Sequence, residues 1–179
     1  MSDRAPRRLR CPALLSALLL SGCQSLGTTE APLQTLYRSS QCGPTPAREL
    51  SARWLPDQAS LDAAWQQLSR QQLSPPPAPQ LQGDGAGALL IYQGVQPTGG
   101  YAIALAEPQL RIDGDQARIA LQITRPAPDA LTAAVITSPC LLLALPPLRV
   151  ERVLITDAAG RALTSLPITP PAAARPSRY

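Results

Sequence analysis

The chain has 179 residues, a formal net charge of +4 and 21 prolines, and it contains no His, no Lys and no Phe. Those absences exclude Ser-His-Asp and Cys-His nucleophilic chemistry, imidazole metal sites, Schiff-base catalysis and a phosphate-loop lysine. The remaining carboxylates stand singly or in turns, as at Asp113, Asp115 and Asp157, so the expectation is a protein that is not an enzyme, with no cofactor and no metal.

The first segment carries Arg4, Arg7, Arg8 and Arg10, followed by an apolar stretch from Pro12 to Leu20. A basic start and a short apolar run make an export signal over residues 1–22; roughly ten apolar residues are too few to span a bilayer. Leu20, Ser21, Gly22 and Cys23 resemble the lipobox of a bacterial lipoprotein precursor. Cleavage before Cys23 would free its thiol for a diacylglycerol thioether and the new amino group for a further chain, and two or three chains anchor stably. Gln24 stands where this class carries its aspartate retention signal, which points to the outer membrane, periplasmic face, with the lipid bilayer as one partner. Four of the sixteen arginines and one of the twelve acidic residues precede Cys23. The remainder, twelve arginines against eleven acids, is close to +1, so the basic pI gives no support for a nucleic-acid partner.

Residues 23–32 are small and polar and read as a flexible tether. Leu33 to Tyr37 and Glu49 to Leu55 are short strand candidates, separated by a loop with Cys42, Gly43, Pro44 and Pro46. Cys11 leaves with the signal and Cys23 takes lipid, so Cys42 and Cys140 remain in an oxidising compartment. A bridge between them would close a loop of roughly 100 residues and stabilise by about 4–5 kcal/mol in the chain-entropy picture; the alternative is two unrelated thiols, one buried beside the apolar run at Leu141. Ser60 is a candidate N-cap for a helix running to about Leu73, because Leu61, Ala64, Trp65 and Leu68 recur at helical spacing. Trp65 reads as a core anchor in that stripe. Pro75, Pro76, Pro77 and Pro79 impose an extended crossover, and residues 33–82 form an N-terminal unit of strands, helix and crossover.

Strand signals dominate residues 83–168. Ala88 to Gly94, Tyr101 to Glu107, Gln109 to Asp113 and Ala117 to Arg125 come first, with a hairpin turn at Asp113, Gly114 and Asp115. Ile119, Leu121 and Ile123 alternate with Arg118, Gln122 and Thr124, which gives one dry face. Leu141 to Leu145 is continuously apolar, as for a strand covered on both sides. Val150 to Thr156 and Arg161 to Leu166 make a closing hairpin, and residues 169–179 read as a frayed tail. Short strands at this spacing predict a mainly β (α+β) fold: an antiparallel β-sandwich or partly open barrel of six to eight strands with one N-terminal helix packed on it.

Between the first two of these strands lie Gly94, Val95, Gln96, Pro97, Thr98, Gly99, Gly100 and Tyr101. Pro97 fixes one φ, Gly99 and Gly100 permit positive φ, and Tyr101 re-enters the sheet. The expectation is a rigid, nearly bare loop with amide groups open to a partner chain. The other reading is a tight connection with Tyr101 capping the core. Thr98 has no base and is not a nucleophile.

The order Gly94, Pro97, Thr98, Gly99, Gly100, Tyr101, then alternating strands, then Thr137, Ser138 and Pro139 before an apolar strand, resembles the C-terminal domain of PrcB-type protease-complex subunits. The likeness covers Ala88 to Leu166 well and Asp57 to Gln82 loosely; Cys140 departs from it, standing where an aromatic residue is more usual. The resemblance implies a non-enzymatic lipoprotein that binds other proteins, with a protease among the candidate partners. A second resemblance is to chagasin-type inhibitors of cysteine proteases, whose first loop has the pattern Asn-Pro-Thr-Thr-Gly-Tyr. Gln96 and Gly99 differ from it, and Arg125, Pro126 and Ala127 lack the Trp of a third inhibitory loop, a position where an aromatic anchor matters.

The reading is therefore an outer-membrane lipoprotein acting as a protein-binding module through Gln96, Pro97, Thr98, Gly99, Gly100 and Tyr101, as an accessory subunit or stabiliser of a protease or envelope complex. A loop-inserting protease inhibitor and a structural envelope lipoprotein are the alternatives.

Overall fold

The computed structural model describes residues 28–43, 48–70 and 72–168. The lipobox with Cys23, the export signal and the tail 169–179 lie outside the described residues. Those described fold into a mostly β structure of ten strands in two sheets with one helix and no closed barrel, a β-sandwich.

The larger sheet contains β1 (Thr29–Pro32), β5 (Ala102–Leu105), β6 (Gln109–Asp113), β7 (Gln116–Thr124), β9 (Arg152–Asp157) and β10 (Ala162–Pro167). Its order is β1-β6-β7-β9-β10, with β5 beside the second half of β7. The smaller sheet has the order β2 (Gln34–Ser39), β8 (Cys140–Leu145), β4 (Gly87–Tyr92), β3 (Ser51–Leu55). Side chains alternate across a strand, and β8 uses both faces: Leu141, Leu143 and Leu145 enter the core between the sheets, whereas Cys140 and Leu142 enter a second core under the helix. The expectation of a strand covered on both sides is met. Leu89 and Ile91 of β4 face the first core, Ala88 and Leu90 the second.

The helix α1 (Gln58–Ser69) buries Leu61, Ala64, Trp65 and Leu68 against that outer face. Its N-cap is Asp57, not Ser60. The Asp57 carboxylate accepts from the Ser60 amide at 2.8 Å while the Ser60 hydroxyl faces the Asp57 backbone, a reciprocal capping box. Asp57 satisfies an amide donor that a cap at Ser60 would leave unpaired. The prolines then strap across the helix as an extended segment. Proline offers carbonyls without matching donors, and the helix supplies the donors: the Trp65 indole donates to Pro76 O at 3.1 Å and Gln58 Nε2 to Pro79 O at 3.0 Å, while Gln58 Oε1 accepts from the Leu81 amide at 2.9 Å. Tyr37 meets Trp65 edge to face at 5.0 Å between ring centroids, and its hydroxyl accepts from Gln72 at 2.7 Å.

Four expectations change. The tether does not extend to Pro32, because Thr29–Pro32 pairs with Gln109–Ile112 of β6 and Leu33 is buried; the chain crosses from one sheet to the other at Leu33, whose amide donates to Pro108 O. Ten strands replace six to eight. The architecture is not wholly antiparallel, since β7 and β9 run parallel, reached by the long connection that threads β8 through the other sheet. The division at residues 82/83 is not structural, because β2 and β3 complete the sheet of β4 and β8. Cys42 and Cys140 are disulfide-bonded, with Cα atoms 5.9 Å apart, which ties the loop after β2 to the first residue of β8.

Candidate functional site

The two sequence stretches singled out above, 94–101 and 137–139, form one structural unit. Gln96 and Thr137 make an isolated antiparallel bridge, exchanging backbone hydrogen bonds at 2.8 and 3.0 Å. The Thr137 hydroxyl donates to Thr98 O at 2.9 Å, and Pro139 O accepts from the Gln93 amide at 2.9 Å. On its other side the same segment bonds to the disulfide loop: Ser138 donates to Ser40 O and accepts from the Cys42 amide, while Gln41 Nε2 reaches Ile136 O at 3.2 Å. Thr137, Ser138 and Pro139 therefore clamp the 96–101 loop to the disulfide.

The loop is not bare. The Gly99 amide donates to Ala133 O at 3.0 Å, and the Gln96 amide is taken by Thr137, so neither is open to a partner. Two glycines answer to geometry: Gly94 (φ 91°) lies against Arg48, whose carbonyl a Cβ would strike, and Gly100 (φ 88°) lies against Pro126 and Thr132. Gly99 does not adopt positive φ. Strand β5 starts at Ala102, so Tyr101 stays outside the sheet, half-buried. It lines a cleft instead of capping the core. Thr98 donates only to the neighbouring Gly99 O, a local turn contact with no base.

What the loop end does offer is apolar surface. Val95 and Pro97 are exposed on the loop, and Val135 and Ile136 are exposed on the segment bonded to it, Ile136 at 69%. Leu131, in the same connection, is fully exposed. Apolar residues gathered at one end mark interaction surface more readily than scattered ones. Sequence reading missed the 131–136 segment: an apolar run there looks like any short strand until it is seen to lie outside both sheets.

Beside this patch is a cleft of about 420 Å³, lined by Arg48, Gln93, Gln96, Tyr101, Arg125 and Leu163 among others. Gln93 is buried, its Nε2 donating to Thr124 O at 3.4 Å and its Oε1 without a partner among the described residues. Among the described residues neither Arg48 nor Arg125 takes part in an ion pair. A second cleft of about 370 Å³ adjoins, sharing Ile123, Arg125 and Leu163. At its edge the Asp157 carboxylate accepts from the Arg161 amide at 2.9 Å, from the Ala159 amide at 3.0 Å and from the Arg161 guanidinium. The Arg161 backbone bond, then the side-chain bond and charge of Arg161, hold it below the ordinary carboxylate value.

No curated protein and no solved structure matches the chain. A family model described as PrcB C-terminal matches residues 88–146. The match runs from β4 to the end of β8 and includes both clamped stretches, whereas the closing hairpin that the sequence likeness took in to Leu166 falls beyond it. Residues 88–146 are thus a PrcB C-terminal-like domain, completed into two sheets by strands from both flanks.

Proposed function

We propose that this protein is a non-enzymatic binding module, held at the periplasmic face of the outer membrane through lipidated Cys23, that serves as an accessory subunit of a protease-containing complex. The PrcB C-terminal-like match over residues 88–146 carries the reading, since such a domain suggests a family of protease-complex-associated subunits. The loop end supports it physically: the disulfide and the 137–139 clamp hold an exposed apolar surface in one shape, and a preorganised surface loses less entropy on binding. The tether then limits the search for a partner to the membrane surface.

Affinity capture from envelope extract, with the chain against its Thr98→Arg, Gly99→Arg variant, tests the surface. A protease or its complex should be retained by the first and lost by the second; an unchanged partner set removes the loop from the interface. Globomycin should make the precursor accumulate, and a Cys23→Ser protein that still fractionates with membranes refutes the lipid anchor.

A further inference from the structure

Strand β7 outruns its neighbour. Its parallel register with β9 ends at Leu121 opposite Asp157, where the chain turns back through residues 157–160 into β10. On the other side of β7, pairing with β5 continues to Thr124. The Ala106 amide donates to Ala120 O, so by strand alternation the backbone groups of Gln122 and Thr124 turn toward β5, and those of Leu121 and Ile123 turn the opposite way. At Ile123 that side has no strand among the described residues. The two clefts occupy this gap, with Ile123, Arg125 and Leu163 common to both. Leu163 is the extra residue of a β-bulge between Ala162 and Thr164, a device that bends a strand away from regular pairing.

From Leu121 to Arg125 the open edge measures about 13 Å at about 3.3 Å per residue, room for three or four extended residues. Its far end carries Arg48 and Arg125, neither ion-paired among the described residues, with Glu49 the acidic residue of the same lining. Gln93 lines the same cleft, nine-tenths buried, with a side-chain oxygen that has no hydrogen-bond partner among the described residues. The remaining walls, Leu50, Ile123 and Leu163, are apolar.

We infer that this gap receives the C-terminal residues of a partner protein as an added strand. The peptide runs parallel to β7, in line with β9. Its terminal carboxylate lies between Arg48 and Arg125, and its last side chain, an apolar one, lies on Leu50 and Leu163. The direction follows from the charges: only a chain running with β7 brings its carboxyl end to Arg125. Main-chain bonds to Ile123 give affinity and the carboxylate gives specificity. The inference rests on the binding-module reading and names the partner chemistry at the same end of the molecule.

The probe is a pool of fluorescein-labelled random hexapeptides with a Val, Leu or Ile end, prepared as free acids and as C-terminal amides and offered to the full chain. Free acids should be retained at least tenfold over amides, Arg48→Gln with Arg125→Gln should abolish the difference without moving the thermal midpoint, and bound peptide should slow exchange of the Ile123 amide. Equal retention of acids and amides, no retention, or protection that skips Ile123 in the unsubstituted chain each overturns the inference. A partner captured by the loop surface that persists in the double arginine variant while the pools fail sinks the strand-addition idea alone. Loss of capture only in the Thr98→Arg, Gly99→Arg variant leaves the binding-module reading standing.

Discussion

Strand β8 and the segment that leads into it stand in opposite circumstances. Its Cys140 and Leu142 side goes under a helix, a proline strap and a disulfide, where the strap's donors and acceptors are matched by named side chains. The segment just before it, 131–139, leads out to a surface of exposed Val135 and Ile136 beside a buried glutamine oxygen with no partner. One region has its polar groups satisfied and holds shape; the other is left incomplete, and incompleteness at a rigid site is what a binding surface requires. If that division is right, substitutions under the helix should cost stability, and substitutions at the loop end should cost binding before stability.

The largest effect belongs to the disulfide. Cys42→Ala with Cys140→Ala opens a loop of sequence separation 98 and should cost about 4–5 kcal/mol in urea unfolding; a loss under about 1 kcal/mol would show that the clamp holds without it. Next is Trp65→Ala, which removes the helix anchor, the Tyr37 contact and the donor to Pro76, at about 3–5 kcal/mol. Trp65→Phe keeps an aromatic ring beside Tyr37 but loses the indole donor and leaves a void, and should cost about 1 kcal/mol for the bond plus the cost of the void. Equal losses for the two would mean that the loss they share, the bond to Pro76, carries the whole effect and the ring contact none.

At the loop end the test is Gly94→Ala. Positive φ for a residue with a Cβ costs about 1–3 kcal/mol, and the new Cβ must displace Arg48, which borders the proposed carboxylate site. The expected result is a modest drop in thermal midpoint with at least a tenfold loss of peptide retention. Retention that falls only in proportion to stability would erase the distinction between the two regions.

Much of the helix-covered region was legible in the sequence. The spacing of Leu61, Ala64, Trp65 and Leu68 marked the buried stripe, the unbroken Leu141 to Leu145 run marked a strand with two dry faces, and Cys42 and Cys140 stood as a candidate pair that only the structure joins. Boundaries slipped where competing signals were local: Ser60 has an N-cap side chain, but Asp57 three residues earlier can cap and be capped at once. The strand at Thr29–Pro32 was invisible because its residues are polar, proline-ended and mostly exposed, and what holds it is register with β6 instead of burial. The loop was recognised, but its environment was not: the bonds from Thr137 and Ala133 come from residues about 35–40 positions away, a separation no periodicity encodes. The gap beside Ile123 follows from where β9 stops relative to β7, and only the register shows that.

The smallest effect sharpens the comparison by pH. Bonds from the Ser60 backbone, then from its side chain, lower the Asp57 carboxyl from its ordinary value of 3.8. A carboxyl depressed in the folded state stabilises above its unfolded value, and that contribution is lost as pH falls through the depressed one. The thermal midpoint should therefore sag in acid, beginning near the ordinary carboxylate range. Asp57→Asn keeps a side-chain oxygen for the Ser60 amide without the charge, so it should flatten that acid limb while the disulfide holds the loop end unchanged. Asp157 is the internal control at the other region, because Arg161 depresses its carboxyl as well. Asp157→Asn should flatten the acid limb in its turn and alter peptide retention at the neighbouring gap, which Asp57→Asn should leave alone. Retention that follows Asp57 instead would couple the helix cap to the proposed binding end and contradict the division between them.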